Sequence, residues 1–147
     1  AMDALDKEGV NTVLLGDLRN VEFTPPPRAQ VIGTKWTIRQ CYTFAALADV
    51  VIGTESAIIN SVAHEPPLKI VILSHSTALN LTRDWDRTIA LVPEGLACYP
   101  CHRIHHDFSH CSFTPDTRTS ACQTAATAEV VVGFALQWIR GEMKEAA

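Results

Sequence analysis

Apolar residues fall in short blocks along this chain, and the spacing inside the blocks changes from helical to strand-like and back. Phe44, Leu47 and Ala48 recur at helical spacing, whereas Val50-Val51-Ile52 is a continuous apolar run and residues 68–73 are a strongly apolar strand with Lys69 near its start. Thr37 and Gln40 have capping-box spacing, so a helix is expected to start there. A second helix is expected over residues 56–63, ended by Pro66-Pro67. Residues 3–9 read as the tail of a helix closed by Gly9. Val13-Leu14-Leu15 reads as a short buried strand, Val31-Ile32-Gly33 as another, and Ile89 to Val92 as a last one stopped by Pro93. Pro25-Pro26-Pro27 excludes helix or central strand and marks residues 20–30 as loop. Residues 74–86 read as polar loop with one helical turn at most. A final helix is expected to bury Val130, Val131, Phe134, Ala135, Trp138 and Ile139 on one face. Thr127 is placed to cap it and Glu129 to complement its dipole; Ser120 with Gln123 is a competing start.

Helices alternating with near-continuous apolar strands are the signature of a parallel sheet covered on both faces. The expected fold class is therefore α/β, a Rossmann-like parallel sheet with helices on both faces. One domain is expected over residues 1–147, interrupted by an irregular Cys/His-rich loop at 98–122 and without internal repeats.

Composition narrows the function. The chain has 147 residues, 47% hydrophobic and 19% charged, which suits a folded core rather than disorder. A formal net charge of −4 with no basic run argues against a nucleic-acid partner. No apolar run reaches the length of a membrane helix, and residues 1–7 do not read as a signal peptide. The expected compartment is the cytoplasm, at most peripheral to the inner membrane, where cysteines are usually reduced. Neither a Gly-x-Ser-x-Gly nor a Walker phosphate loop is present.

Two segments carry candidate chemistry. The first is the polar turn Gly53-Thr54-Glu55-Ser56-Ala57 between a strand and a helix. In open α/β sheets ligands bind at the carboxyl edge of the strands, and a helix start there offers unpaired N–H groups to phosphate. The plain alternative is an ordinary N-cap at Thr54 or Ser56, with Glu55 complementing the dipole. His75 and Thr77 end the next strand and share that edge. The second segment is the cysteine cluster. Cys98 and Cys101 have the two-residue gap that lets two thiolates grip one metal, and Cys111 and Cys122 would complete a tetrahedral set. His102, His105, His106 and His110 lie nearby. A structural zinc is one reading; a disulfide or plain thiols clamping an irregular loop is the other, because no second close pair is visible. Cys41 is expected in the core.

At these residues the chain resembles glycosyltransferase family nine, the lipopolysaccharide heptosyltransferases, and specifically their C-terminal half. Residues 33–38 and 47–57 are similar to the segment around the family's Asp-Ser/Thr-Gly turn. Residues 67–77 resemble the following strand with its Gly-Pro-Thr-like turn, here Ser74-His75-Ser76-Thr77. Cys98-Tyr99-Pro100-Cys101, Cys111 and Cys122 resemble the family's Cys-x-Pro-Cys region. The resemblance implies two Rossmann-like domains, with the C-terminal one binding a nucleotide-diphosphate sugar, most readily an ADP-sugar. It implies donor contacts from Lys35, Trp36, Glu55, Ser56, Ala57, Asn60 and Thr77, with Trp36 beside the base and Glu55 near the sugar. The chain departs from the pattern where the family's Gly is Ala57, its Asp is Glu55 and its usual His is Asn60. The acceptor half, which supplies the catalytic base, has no counterpart here. No catalytic residue is therefore assigned, no cofactor is required, and transfer to a glycan or lipid-linked acceptor needs an N-terminal domain. Two alternatives belong to other classes. One is a non-catalytic binding module that pairs with another chain or with itself as a homodimer; the other is a structural metal-binding domain built on the 98–122 loop.

Overall fold

The computed structural model describes residues 1–16, 23–103, 111–115 and 119–143. It is an α/β protein, with eleven short elements among the described residues. They are α1 (Met2–Lys7), β1 (Thr12–Leu15), β2 (Ala29–Gly33), α2 (Ile38–Leu47), β3 (Val50–Thr54), α3 (Ala57–Ser61), β4 (Leu68–Ile72), α4 (Ala78–Leu81), β5 (Thr88–Leu91), α5 (Ala121–Thr124) and α6 (Ala128–Ile139).

Among the described residues the named strands β1–β5 all pair in parallel, but they form two sheets rather than the one expected. β1 pairs with β2, and β3-β4-β5 form a second sheet of three strands. Val13 and Leu15 of β1 face residues 50–54 of β3 across a cavity of about 350 Å³, so the two sheets are separated by a gap rather than a hydrogen-bonded ladder.

β4 is the axis of the fold. Its even-numbered residues Leu68 and Ile70 join Leu5, Val131, Val132 and Ala135 in one core cluster. Its odd-numbered neighbours Val71 and Leu73 join Ala45, Val51, Ile59 and Val62 in another. Alternation along a strand thus buries it against α1 and α6 on one face and against α2 and α3 on the other. The polar exception is Lys69, a lysine at 0% exposure whose Nζ donates to the Glu65 carbonyl at 2.9 Å. Burial pushes its ammonium below the usual lysine range, against the opposing pull of Asp86.

Local signals explain the helix starts. Thr37 accepts from the Gln40 amide, and the Gln40 side chain accepts from the Thr37 amide at 2.9 Å, completing the expected capping box. Thr127 accepts from the Val130 amide and starts α6, while Ser120 starts a separate short α5; the two competing starts are both used. The buried faces differ from the expected ones. In α2, Leu47 is 80% exposed, and Cys41 and Ala45 are the buried pair. In α6, Val130 and Ile139 are 44% and 43% exposed, and the stripe runs through Val131, Val132 and Ala135. The neighbouring elements select which part of a broad apolar surface is covered. α3 is also shorter than residues 56–63. The Ser61 hydroxyl donates to the Ile58 carbonyl at 2.7 Å, so the side chain competes for the backbone near the helix end.

Candidate functional site

β3 and β4 end side by side, in register from Val50 with Leu68 to Thr54 with Ile72. The chain leaves each strand into a polar turn, and the two turns meet through Glu55. Its side chain is 4% exposed. Oε2 accepts from the Ser74 amide at 3.0 Å, the His75 amide at 3.0 Å and the Ser74 hydroxyl. Oε1 accepts from the Ser76 amide at 2.7 Å. Three consecutive N–H groups and a hydroxyl thus wrap one carboxylate, an anion nest whose anion comes from the protein itself. Burial alone would raise the Glu55 carboxyl. The hydrogen bonds from Ser74, His75 and Ser76, with the imidazole of His75, outweigh it and hold the group below the usual carboxylate range.

His75 completes the arrangement. Its Nδ1 lies 2.7 Å from Glu55 Oε2, with the ring side chain 38% exposed. A carboxylate at Nδ1 favours the tautomer with the proton on that nitrogen, which leaves Nε2 as the basic atom of the neutral ring. The Cys98–His102 stretch is tied to the same turn. The His102 amide donates to the His75 carbonyl at 2.8 Å, and the Tyr99 hydroxyl donates to the Ser76 carbonyl at 2.8 Å. Burial, then the negative charge of Glu55, pushes the Tyr99 phenol up.

A pocket of about 600 Å³ opens where these pieces converge. Thr54, Glu55, Ser74 and His75 form its floor at the carboxyl edge of the sheet. Its wall includes Cys98, Cys101, Arg103, Cys111, Cys122 and Gln123. Ser112 and Ser120 add hydroxyls. The pocket surface is more apolar than polar, with hydroxyls and one guanidinium set among the thiols.

The structure brings together some of the expected site residues and separates others. Glu55, His75 and all four cysteines of the 98–122 loop line this pocket. Ser56 lines the other cavity, between β1 and β3, and its amide donates to the Thr54 carbonyl at 2.7 Å. Ala57 and Asn60 are exposed and line neither pocket. Trp36 is half-buried with its ring centroid 5.2 Å from that of Phe44, and Lys35 is exposed beside it. Thr77 accepts from the Asn80 amide at 3.1 Å and caps α4. His102 lies beside the pocket loop; His105, His106 and His110 lie outside the described residues. Among the described residues, no three His, Cys, Asp or Glu side chains are arranged to hold a metal ion. No helix among them is long and apolar enough to cross a membrane.

The sequence pattern did not point to Arg103, Ser112, Ser120 and Gln123, which reach the pocket through the loop. The legible signals were the polar turns after β3 and β4 and the cysteine cluster, which supply Glu55, His75 and the four thiols of the lining. No protein-family model matches the chain, and neither a curated protein nor a solved structure matches it.

Proposed function

We propose that the chain is the nucleotide-diphosphate-sugar-binding domain of a glycosyltransferase, similar to the donor half of the heptosyltransferases. The observation that carries this reading is the pocket of about 600 Å³ at the carboxyl edge of β3 and β4, floored by the Glu55–His75 pair. Ligands of open parallel sheets bind at that edge. With β1 running beside β3, the strand order β2-β1-β3-β4-β5 would be that of a doubly wound sheet. The pocket volume lies within the range of small-molecule sites.

The chemistry of the lining suits the proposed ligand. A diphosphate needs a cation and hydrogen-bond donors; Arg103, Gln123 and the hydroxyls of Thr54, Ser112 and Ser120 supply them. A sugar needs groups that both donate and accept, and His75 with the serines offers these. Glu55 acts in this reading as a positioning residue. Its oxygens are occupied by the 74–76 turn and the imidazole, so it orients His75 rather than gripping the sugar. The imidazole then stands between the internal negative charge and the donor. Ser56, Ala57, Asn60, Lys35 and Trp36 are not needed for the donor in this pocket.

Titration with ADP, an ADP-sugar, UDP and GDP tests the proposal. Saturable binding of at least one of them is expected, with NMR shifts at the His75 ring and the Arg103 side chain. Arg103→Ala is expected to weaken that binding about tenfold or more, the loss of a charge-assisted hydrogen bond. Absence of saturable binding for all four ligands would overturn the reading.

A further inference from the structure

The four cysteines on the pocket wall have a geometry that their spacing in the sequence hides. Phe113 and Ser120 form an antiparallel bridge. Around it the Thr114 amide donates to the Thr119 carbonyl at 2.9 Å, and the Ala121 amide donates to the Ser112 carbonyl at 2.8 Å. This is a hairpin whose paired residues run 114 with 119, 113 with 120 and 112 with 121. The next residue outward on each side is a cysteine, Cys111 on the incoming segment and Cys122 at the start of α5. Both line the same pocket, and both are thiols, half-buried rather than sealed in a core. The next pair of such a ladder would lie within about the 4–7 Å between Cα atoms that a disulfide spans; α5 begins at this point, and Cys111 stays close enough to Cys122 to act on its thiol.

We propose that Cys111 and Cys122 are a thiol–disulfide exchange site, oxidised by small-molecule disulfides of the glutathione type, that latches the hairpin forming the wall of the pocket. The Cys111 thiolate attacks one sulfur of the incoming disulfide and forms a mixed disulfide, and the other half leaves as a thiolate. The Cys122 thiolate then attacks Cys111 Sγ, forming the internal bond and expelling the second half. Two cysteine thiols are oxidised and give up one proton each, and the incoming disulfide is reduced to two thiols. Oxidation joins the two stems where the backbone pairing ends. Reduction leaves the wall held by non-covalent contacts, among them the bridge, its two flanking backbone hydrogen bonds and the Thr114 hydroxyl donating to the Thr119 carbonyl at 3.2 Å.

The surrounding groups fit a reversible site. Burial raises the Cys122 thiol above the ordinary range, and the neighbouring Cys111 and Cys98 sulfurs add to this against the pull of nearby amides. Cys122 therefore stays protonated near neutral pH, and closure accelerates as pH rises. Cys98 and Cys101 line the same pocket and are a second source of thiols that the experiment separates from the first pair.

The reduced full chain is incubated with oxidised glutathione, alkylated and digested, and linked peptides are identified by mass. The expected product joins Cys111 to Cys122, lighter by two hydrogens than the two peptides. Its rate of formation is expected to rise about tenfold per pH unit below the thiol range. The double variant C98S/C101S is expected to form the same link. C122S is expected to abolish it and to leave Cys111 as a stable glutathione adduct. Amides of residues 112–114 and 119–121 are expected to exchange more slowly with solvent in the oxidised protein, a readout that needs no nucleotide. Linkage confined to Cys98 and Cys101, or a linked product absent throughout the pH range, would overturn the proposal. So would a metal ion that co-purifies with the chain and blocks oxidation until chelated.

Discussion

Glu55→Gln is expected to unfold at a markedly lower denaturant concentration than the parent chain. The substituted amide keeps the size of the side chain but turns an acceptor into a donor on one side. The amides of Ser74, His75 and Ser76 converge on the two carboxylate oxygens, so one of these N–H groups is left facing an NH₂. The Ser74 hydroxyl and the His75 imidazole lose their charged partner at the same time. Exchanging charge-assisted hydrogen bonds for an unsatisfied buried donor costs about 2–3 kcal/mol, seen as a fall in the urea midpoint with the slope unchanged. The pH dependence gives an independent check. The folded-state pKa of Glu55 is depressed, so ionised Glu55 contributes stability that is fully present above its unfolded-state value. That contribution is lost as pH falls through the lower folded-state value. The parent chain should therefore lose stability over the acid range below the ordinary glutamate value, and Glu55→Gln should lose less over the same range. A variant with parental stability, or with an unchanged acid profile, would show that the 74–76 turn does not depend on the carboxylate.

The clamp also shows where sequence reading succeeds and where it stops. Short-range grammar was legible. Thr37 with Gln40 and Thr127 with Val130 are three residues apart, and both caps form as their spacing implies. Apart from Lys69, residues 68–73 are apolar on both strand faces, and β4 is buried on both faces. Glu55, by contrast, bonds residues 19 to 21 positions away, and no local period carries that information. It reads equally well as a donor-sugar ligand or a helix-dipole complement, and the structure makes it the acceptor for a neighbouring turn. The cysteines behave the same way. Cys111 and Cys122 look distant until a hairpin closes between them, so the second close pair missing from the sequence appears only with backbone pairing. The helix faces were half legible. Periodicity located α2 and α6, but an apolar surface wider than its cover does not say which flank stays exposed. Leu47, Val130 and Ile139 fall on the uncovered side.

The position of Glu55 is itself set by packing beneath it, and Ile59→Ala tests that dependence. Ile59 is 1% exposed and sits in the cluster with Ala45, Val51, Val62, Val71 and Leu73, so it ties α3 to β3 and to the buried end of β4. Gly53, two residues before Glu55, faces it directly: a Cβ built on Gly53 would lie 3.5 Å from Ile59 Cδ1. That is ordinary contact, so Gly53→Ala should fold with nearly parental stability, while truncation of Ile59 removes the surface against which the end of β3 rests. Burial this complete gives a cost of about 3–4 kcal/mol, from lost transfer energy and the cavity left where neighbours cannot collapse. For a domain whose total stability is of order 5–15 kcal/mol, that is a large fraction. The loosened end of β3 carries Thr54 and Glu55, so the amides of Ser74 and Ser76 should exchange with solvent faster in Ile59→Ala than in the parent. Glu55→Gln should speed the same amides while leaving the Val51 and Val71 amides, below the clamp, closer to their parental rates. Equal acceleration at both levels in Glu55→Gln would mean that clamp and core open as one unit, and that the site has no stability of its own to tune.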